Sequence, residues 1–379
     1  MRKICVITSN RAEYGVMSRL IEKIELDNEL QLQLIVTGAH LSDKFGQTYH
    51  EITSPITKKI DIEIEKEPSH TMALAIEKFS EAFSELKPDL ILILGDRYEI
   101  MAVAIAAMLN NLPIAHLYGG ESTQGAIDEA IRHSITKMSH IHFASCVEYK
   151  NRIIQLGENP KSVFNVGALG VENIEKLNLL SKAELENEIN FKFGTKNLMV
   201  TFHPVTLENL TSGEQFNELL SALDELEDTK IIFTKPNSDS GNQEIIDLID
   251  EYVKNNPSTI AFNSMGALKY LSALQYVDGA VGNSSSGIIE VPSFKIGTVN
   301  IGDRQKGRIE AKSIINCAPT KKDILEAINK LYSNEFKNDL KNIQSPYKQE
   351  NTSDKIINIL KCYNLDNILK KSFYDLEKD

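Results

Sequence analysis

The sequence predicts an α/β protein of two domains, each built on a parallel, doubly wound sheet. At 379 residues the chain is long for a single hydrophobic core. Short apolar segments alternate with segments of helical periodicity in both halves, which is typical of parallel sheets with crossover helices. The expected division is 1–170 for the first domain, 171–350 for the second, and 351–379 for a helix that packs back on the first.

The first half contains five apolar segments that predict strands, at 4–8, 30–37, 90–94, 113–117 and 141–144. Helices are predicted between them, from about Val16, from an N-capping Ser69, and over 98–110 and 128–140. Strands and helices that alternate in this way form a parallel sheet covered by helices on both faces.

The second half repeats the scheme after a charged helix at 182–188. Strands are predicted at 198–202, 230–234, 258–262, 277–281 and 295–301, with a short helix from about Ile288. The tail from 352 to 379 has an amphipathic helical pattern and no strand of its own. We therefore expect this tail to return to the first domain.

The composition narrows the range of partners. The formal net charge of −12 argues against nucleic acid or an anionic membrane as a ligand, so an anionic ligand would need a local cluster of basic residues. No apolar segment approaches the length that spans a membrane. The four cysteines are scattered without a metal-binding or disulfide pattern, which predicts a cytoplasmic protein.

The segment 282–308 is the strongest candidate for a ligand site. A strand runs into a Gly/Ser turn at the start of a helix, where backbone N–H groups and the hydroxyls of Ser284, Ser285 and Ser286 are available to a phosphate. Glu290 follows inside that helix, and the next strand delivers a basic loop with Arg304 and Arg308. Each loop alone is consistent with an ordinary capped turn or a solvated loop. The two loops together favour a diphosphate site.

Polar residues also follow the other predicted strands. Each could be a helix cap, a solvated turn residue or a satisfied histidine, but the carboxyl ends of parallel strands converge on one crevice. The residues expected to bind substrate there, besides the three serines, Glu290 and the two arginines of the basic loop, are Arg11, Glu13, Arg97, Arg132, His133, His203 and Asn283.

The same crevice would carry acid–base chemistry beside a departing diphosphate. Asp96, Glu121, Asp128 and His40 are the expected catalytic residues. The first strand is not followed by GxGxxG, and the chain lacks a Walker A lysine, HExxH and GxSxG, so dinucleotide, P-loop, zinc-protease and serine-hydrolase functions are disfavoured. Acidic residues and histidines lack metal-ligand spacing, and neither a metal nor a cofactor is predicted.

Seven motifs give the chain a specific family resemblance over about residues 3–310: NRAEYG, VTGAHLSDKFGQTYHEI, LGDRYEI, GGESTQGAIDEAIRHSITKMSHIHF, FHP, GNSSSGIIEVPSF and NIGDRQKGR. Together they resemble the hydrolysing UDP-N-acetylglucosamine 2-epimerases of sialic acid biosynthesis. That family is similar in fold to the GT-B glycosyltransferases, which implies two Rossmann-like domains with the active site between them.

The resemblance implies roles for individual residues. Asp96 and Asp128 match catalytic carboxylates, and His40 lines the sugar pocket. The positions that hold UDP correspond to Arg11, His203, Ser284, Ser285, Glu290 and Arg304. The chain departs from the family where many members read Glu-Gly-Gly-Glu, because Tyr118 takes the place of the first glutamate and only Glu121 remains.

The expected reaction converts UDP-N-acetylglucosamine and water to N-acetylmannosamine and UDP through a glycal intermediate. Three alternatives stay open. A related hydrolysing enzyme would act on UDP-2,4-diacetamido-2,4,6-trideoxyglucose, on the route to legionaminic acid. A non-hydrolysing epimerase would release a UDP-linked product, and a GT-B glycosyltransferase or UDP-sugar-binding protein would leave C2 of the sugar untouched. The expected assembly is a homodimer or homotetramer.

Overall fold

The computed structural model describes residues 1–124, 126–205, 211–236 and 241–376, and the chain divides into two compact units. The first unit comprises Met1–Glu121, Asp128–Asn173 and Tyr347–Asp379. The second comprises Ser122–Ile127 and Ile174–Pro346. The boundary between the units falls after Asn173, whereas the sequence predicts it after residue 170. The sequence-based division does not assign Ser122–Ile127 to the second domain.

The first unit is built on a seven-stranded parallel sheet. Its strands are β1 (Arg2–Thr8), β2 (Leu30–Thr37), β3 (Lys58–Ile60), β4 (Leu90–Leu94), β5 (Ile114–Leu117), β6 (Ile141–Ala144) and β7 (Val163–Asn165), in the order β3-β2-β1-β4-β5-β6-β7. The helices are α1 (Arg11–Leu26), α2 (Pro68–Leu86), α3 (Tyr98–Leu109), α4 (Asp128–Met138), α5 (Val147–Gln155) and α6 (Leu169–Lys176), which contains the division.

The second unit repeats this architecture with six parallel strands. The strands are β8 (Lys196–Thr201), β9 (Thr229–Thr234), β10 (Thr259–Phe262), β11 (Gly279–Gly282), β12 (Gly297–Ile301) and β13 (Ile314–Cys317), in the order β10-β9-β8-β11-β12-β13. Its helices are α7 (Lys182–Ile189), α8 (Ser212–Leu223), α9 (Asn242–Asn255), α10 (Gly266–Leu274), α11 (Ser285–Ile289), α12 (Lys321–Tyr332) and α13 (Asn334–Leu340).

Each sheet reverses its strand order at one point, and these points matter for function. In the first sheet the reversal lies between β1 and β4, and in the second between β8 and β11. Crossover helices leave in opposite directions there, which opens a crevice at the carboxyl ends of the two strands. The residues after β1, β4, β8 and β11 are therefore the ones that each unit presents to a ligand.

Buried aliphatic residues explain why the central strands sit where they do. All five residues of β4 are buried, and Ile4 to Ile7 of β1 are fully inaccessible to solvent. Strands buried on both faces are continuous in hydrophobicity rather than alternating, as the sequence shows at these two segments. The helices cover both faces; Phe79 and Phe83 of α2, for example, belong to the core of the first unit.

Two helices of the first unit begin earlier than predicted. Helix α1 begins at Arg11 and not near Val16, because the Asn10 side chain accepts hydrogen bonds from the N–H groups of Ala12 and Glu13 at 2.9 and 3.1 Å. Helix α2 begins at Pro68, whose fixed φ suits the first helical position, so the predicted cap at Ser69 is wrong.

Three short strands, β3, β7 and β13, were not predicted. The first two have three residues each and the third has four. All three lie at sheet edges. A segment of this length carries no periodicity of its own and becomes a strand only by pairing with its neighbour.

The C-terminal tail is helical over a shorter stretch than predicted. Helix α14 spans Thr352–Cys362. The described residues after it are irregular apart from a turn at 366–369, and 377–379 lie outside the described residues. The helix ends because Tyr363 adopts an extended conformation. Within the first unit, Thr352 donates a hydrogen bond to the carbonyl of Val166 at 2.8 Å, and Lys361 pairs with Asp27 at 3.1 Å.

Beyond α14 the tail is held by a buried carboxylate. Glu158 is 2% exposed and forms ion pairs with Lys137 at 2.6 Å and Lys371 at 2.7 Å, and a hydrogen-bonded contact with His142 at 3.1 Å. These three partners lower the pKa of Glu158 to about 2 against the opposing effect of burial. Lys371 also donates to the carbonyls of Lys137 and Ser139, at 2.8 and 2.6 Å.

Within the described ranges, no helix is long and apolar enough to cross a membrane. All four cysteines are free thiols.

Candidate active site

In the first unit, Asp96 lies directly after β4 at the point where the strand order reverses. Its carboxylate forms an ion pair with Arg132, whose side chain is 1% exposed and extends from α4. Glu129 contacts the same guanidinium at 3.5 Å. The Asp96 side chain is 24% exposed, so the carboxylate is held by Arg132 on one side and is open to solvent on another. Such a carboxylate is fixed in orientation and still able to reach a ligand.

His116 of β5 fixes the main chain beside Asp96. Its Nε2 lies 2.8 Å from the carbonyl of Gly95, and its Nδ1 lies 3.2 Å from the hydroxyl of Thr136 on α4. A carbonyl can only accept, so Nε2 carries the proton and Nδ1 accepts. Burial lowers the pKa of His116 to about 3, which keeps the imidazole neutral. Sequence reasoning missed this residue, because a histidine inside a buried strand gives no sign of its partners.

A second carboxylate network lies behind the loops after β1 and β4. Glu13 accepts from the N–H of Ser9 at 2.7 Å, and both its oxygens lie 3.0 Å from the Ser9 hydroxyl. The same hydroxyl lies 3.1 Å from Glu99, which also accepts from Arg97 Nε at 2.5 Å. Glu99 is fully buried and Glu13 is 6% exposed. Both described contacts of the Glu13 carboxylate are internal, and its predicted contact with substrate stays a prediction.

The electrostatics of this network favour a protonated Glu13. Burial, and secondarily the charge of Glu99, raises the pKa of Glu13 to about 7, against the opposing charge of Arg97 and the hydrogen bonds from Ser9. A hydroxyl carries one hydrogen and cannot donate to two carboxylates at once. A proton on Glu13 resolves this conflict. Ser9 and Glu99 were not among the predicted site residues, although Glu99 lies in the LGDRYE motif.

His40 is enclosed rather than presented to a ligand. It is fully buried, with Nε2 at 3.1 Å from the Thr8 hydroxyl and Nδ1 at 2.8 Å from the Thr48 hydroxyl. Burial lowers the pKa of His40 to about 4. The catalytic role predicted for His40 stays a prediction; its contacts make it a neutral group that fixes the segment after β2.

The segment after β5 is also tightly held. Glu121 is 2% exposed and accepts a hydrogen bond from the Ser145 hydroxyl at 2.7 Å. Tyr118 adopts a left-handed φ of 64°, which is uncommon for a residue with a side chain. The Tyr118 hydroxyl accepts from the N–H of Gly170 at 3.3 Å, so the residue that departs from the expected Glu-Gly-Gly-Glu pattern makes a structural contact.

The remaining predicted residues of the first unit lie near the starts of helices α1 and α4. Arg11 is half-buried at the start of α1, and burial lowers the pKa of its guanidinium. Asp128 is the first residue of α4 and is half-buried. His133 faces Glu129 at 3.3 Å. The start of α4 thus places Asp128 on the same helix as the arginine that holds Asp96.

In the second unit, Asn283 follows β11 at the reversal point of that sheet. It is fully buried, and its side-chain amide bonds twice to the backbone of His203, which follows β8. Gly282 before it adopts a φ of 135°, and a Cβ there would lie 1.9 Å from the carbonyl of Thr201. Only glycine permits so close an approach of the two strand ends. His203 itself is 8% exposed.

Helix α11 begins at Ser285, so the predicted start near Ile288 is wrong, and the helix is only five residues long. Ser284 is the N-cap and accepts from the N–H of Ser286 at 3.4 Å, while the Ser286 hydroxyl contacts the Tyr270 hydroxyl at 2.8 Å. Glu290 is the C-cap rather than an internal residue. A helix of little more than one turn has a small dipole, so side chains must provide most of any phosphate binding.

The basic loop after β12 is anchored to the same place. Arg304 Nη1 and Gln305 Nε2 donate to the main-chain carbonyl of Asn283, at 3.1 and 2.8 Å. Arg308 ends the turn, with its N–H donating to the carbonyl of Gln305 at 3.2 Å. Gly307 has a φ of 87°, and a Cβ there would contact Ser122 and Gln124 at 2.7 Å. The loop can therefore present Arg304 and Arg308 from a fixed backbone.

The described residues contain no group of three or more histidine, cysteine, aspartate or glutamate side chains that could hold a metal ion. The two units offer different chemical groups to a ligand. The first offers carboxylates backed by buried cations, and the second offers hydroxyls and arginines at strand ends. These are the groups that acid–base chemistry and anion binding use, respectively.

Two parallel, doubly wound sheets with polar residues at their reversal points define an α/β enzyme of the Rossmann-like type. The chain belongs to the UDP-N-acetylglucosamine 2-epimerase family, whose model matches residues 22–361. The fold class predicted from the sequence, and the family resemblance, are both confirmed.

Three relatives are similar over most of their length. The GDP/UDP-N,N'-diacetylbacillosamine 2-epimerase (hydrolyzing) of Campylobacter jejuni is 45% identical, with 99% of both chains covered. The polysialic acid biosynthesis protein P7 of Escherichia coli is 41% identical, covering 99% of this chain and 98% of that protein. The UDP-N,N'-diacetylbacillosamine 2-epimerase (hydrolyzing) of Legionella pneumophila is 35% identical, covering 87% of this chain and 90% of that protein.

Among solved structures, the UDP-GlcNAc 2-epimerase of Neisseria meningitidis bound to UDP-GlcNAc superposes with a TM-score of 0.80. The match covers 94% of this chain and 99% of that one, at 17% identity. At that identity the likeness supports the GT-B-like fold and nothing finer.

Proposed function

We propose that this chain is a hydrolysing 2-epimerase that converts UDP-N,N'-diacetylbacillosamine and water to UDP and the free 2-epimeric sugar. The observation that carries the substrate is the 45% identity, over 99% of both chains, with the Campylobacter jejuni protein of that name. The Legionella pneumophila relative is named for the same substrate. This sugar is 2,4-diacetamido-2,4,6-trideoxyglucose, the first alternative in the sequence analysis, and it takes precedence over UDP-N-acetylglucosamine.

The chemistry requires a base and a bound leaving group at the same time. The C2 hydrogen of the sugar has no adjacent carbonyl to acidify it, so its removal must accompany the departure of UDP from C1. The electron pair of the C2–H bond forms the C1–C2 double bond of a glycal, and the C1–O bond electrons leave with UDP. Water then adds at C1 while a proton is delivered to C2 from the opposite face, which inverts C2.

The carboxylates of the first unit are proposed for the two proton transfers. Asp96 is the proposed base, because it is open to solvent on one side and is held by the buried Arg132 on the other. Asp128, on the first turn of the helix that carries Arg132, is the proposed second carboxylate. Glu121 is proposed as a group that orders the segment after β5, since it is nearly inaccessible and bonded to Ser145.

The second unit is proposed to bind the UDP leaving group. Arg304 and Ser285, with Ser284 at the helix start, would take the diphosphate, and Glu290 would accept from the ribose hydroxyls. Donors placed in advance where charge develops contribute about 3–4 kcal/mol each, whereas a helix dipole contributes about 0.3–2 kcal/mol. The five-residue length of α11 reduces the second contribution further. Arg304 is therefore the main proposed phosphate ligand.

A second candidate substrate is UDP-N-acetylglucosamine, with N-acetylmannosamine as product. It is favoured by the 41% identity over 99% of this chain with a protein named for polysialic acid biosynthesis. A homodimeric or homotetrameric assembly and a cytoplasmic location stay predictions.

The test is turnover of both sugars in heavy water, with the products read by proton NMR. We expect the free manno-configured sugar and UDP in equal amounts, deuterium at C2, and a higher kcat/KM for UDP-N,N'-diacetylbacillosamine. The GDP-linked form of the same sugar is a third compound to test, since the Campylobacter jejuni relative is named for both nucleotides.

Each other outcome rejects a part of the proposal. A higher kcat/KM for UDP-N-acetylglucosamine would replace the substrate and keep the reaction. A UDP-linked manno sugar as the end product would make the enzyme a non-hydrolysing epimerase. Retention of the original hydrogen at C2 would reject 2-epimerisation altogether.

A further inference from the structure

Asn283 makes hydrogen bonds through both its side chain and its main chain. Its side-chain carbonyl accepts from the N–H of His203 at 2.7 Å, and its side-chain N–H₂ donates to the carbonyl of His203 at 2.9 Å. Its own N–H donates to the carbonyl of Thr201 at 3.1 Å. The amide side chain thus continues the pairing of β8 with β11 beyond the strand ends. The sequence predicts a different role for Asn283, that of a substrate-binding residue.

The main-chain carbonyl of the same residue holds the basic loop. Arg304 Nη1 and Gln305 Nε2 both donate to it, at 3.1 and 2.8 Å, which matches the two lone pairs of a carbonyl oxygen. Gln305 is fully buried, as is Asn283. One buried residue therefore contacts the segment after β8, the turn after β11 and the loop after β12.

We propose that Asn283 is a positioning residue that couples His203 to Arg304, and that it sets the UDP site without contacting the nucleotide. This inference rests on the proposed binding of UDP by the second unit. Because His203 and Arg304 belong to loops after different strands, their spacing depends on a shared anchor. Both polar groups of the Asn283 side chain already bond to the His203 backbone.

The side-chain requirement is strict. The buried N–H and C=O groups of His203 need an acceptor and a donor at adjacent points, and an asparagine amide supplies both. Alanine would remove both of these bonds from buried backbone groups, where a lost hydrogen bond is costly. The segment that carries His203 would then move relative to the loop that carries Arg304.

The test compares UDP affinity, by calorimetric titration, in wild type, Asn283→Ala and Asn300→Ala. Asn300 is a matched control, because it is 3% exposed on β12 and its amide donates to Asn316 of β13 at 2.7 Å, not to His203 or Arg304. We expect the Kd for UDP to rise about tenfold to a hundredfold in Asn283→Ala. We expect it to stay unchanged in Asn300→Ala, even where thermal stability falls in both.

Asn283→Asp separates positioning from general destabilisation and preserves the volume if the alanine variant does not fold. An ionised carboxylate keeps the bond from the His203 N–H but faces the His203 carbonyl with a second acceptor. When protonated, the carboxyl both accepts and donates. We therefore expect weak UDP binding near neutral pH that recovers toward wild type as the pH falls. Measuring wild type at each pH corrects for the other groups that titrate, including UDP itself.

The outcomes distinguish this inference from the function beneath it. If wild type does not bind UDP, the proposed function fails first. If wild type binds UDP and folded Asn283→Ala binds it equally well, the coupling is wrong. If Asn283→Asp matches wild type at every pH, or never recovers, the two-bond anchor is wrong. With active enzyme, a raised KM in Asn283→Ala at temperatures well below unfolding would support positioning.

Discussion

Replacing Glu13 by glutamine should make the protein more stable above about pH 7 and leave it nearly unchanged below about pH 4.5. The reason is the direction of its pKa shift. Burial, and next the charge of Glu99, raises the pKa of Glu13 from 4.5 to about 7 in the folded protein. A raised pKa means that folding favours the protonated form, so wild-type stability is lost as the pH rises from the unfolded to the folded value.

The size of the effect follows from the shift. The difference between 4.5 and about 7 corresponds to about 3 kcal/mol at 1.36 kcal/mol per pKa unit, an upper value because the surroundings can relax. Glutamine reproduces the neutral form: its carbonyl can accept from the Ser9 N–H, and its N–H₂ can donate to the Ser9 hydroxyl. The hydroxyl hydrogen is then available to Glu99. The variant should lack the pH-dependent loss.

The measurement is urea-induced unfolding of wild type and Glu13→Gln at about pH 5 and about pH 8. Glu22→Gln is the control, since Glu22 is an exposed residue of the same helix. We expect the stability difference between Glu13→Gln and wild type to grow by about 1–3 kcal/mol between the two pH values, and the Glu22 difference to stay constant. An equal difference at both pH values would show that Glu13 is ionised in the folded protein and would refute the proton assignment.

Three further predictions concern the site and the tail. Asp96→Asn should lower kcat by about two to four orders of magnitude while UDP affinity is kept, and near-normal turnover in the folded variant would end its assignment as base. Arg304→Ala should weaken UDP binding by about one to two orders of magnitude in calorimetric titration, and equal affinities would place the phosphate elsewhere. Lys371→Met should lower the free energy of unfolding by about 1–2 kcal/mol because Glu158 keeps its other partners. The exposed Lys370→Met is its control, and an equal effect of both would contradict the role of the buried carboxylate.

The parts of the fold that the sequence predicted are those with local causes. Strands β1 and β4 are continuous apolar segments, and their observed boundaries lie close to the predicted ones. The edge strands β3, β7 and β13 are different, because pairing with a neighbour creates them. The start of α1 depended on one hydrogen-bonding side chain, Asn10, which could equally have belonged to a loop.

The candidate site also combines features that the sequence predicts with contacts that it does not. That Asp96, His203 and Asn283 lie at strand ends follows from topology, and topology was readable from the alternation of segments. Which side chain each one contacts was not readable. Arg132 lies 36 residues beyond Asp96 in the chain and meets it only because α4 packs beside α3 and β5. His116 and Gln305 were missed because each acts through a main-chain carbonyl, and a carbonyl leaves no mark in a sequence.

The residues that define the family cannot distinguish the two candidate sugar substrates. Those residues are expected to act at C1, C2 and the diphosphate, which the two candidate substrates share. The substrates differ at C4, an acetamido group against a hydroxyl, and at C6, a methyl against a hydroxymethyl. A site that hydrogen-bonds a hydroxyl rejects an analogue lacking it by about 10⁴–10⁵, whereas an apolar pocket rejects an added hydroxyl by only about 10². At C6, an enzyme built for the methyl should therefore accept a hydroxymethyl with a loss of about 10², while an enzyme that hydrogen-bonds the C6 hydroxyl should nearly exclude the 6-methyl sugar. The asymmetry of the two rates, rather than the presence of one activity, is what identifies the native substrate.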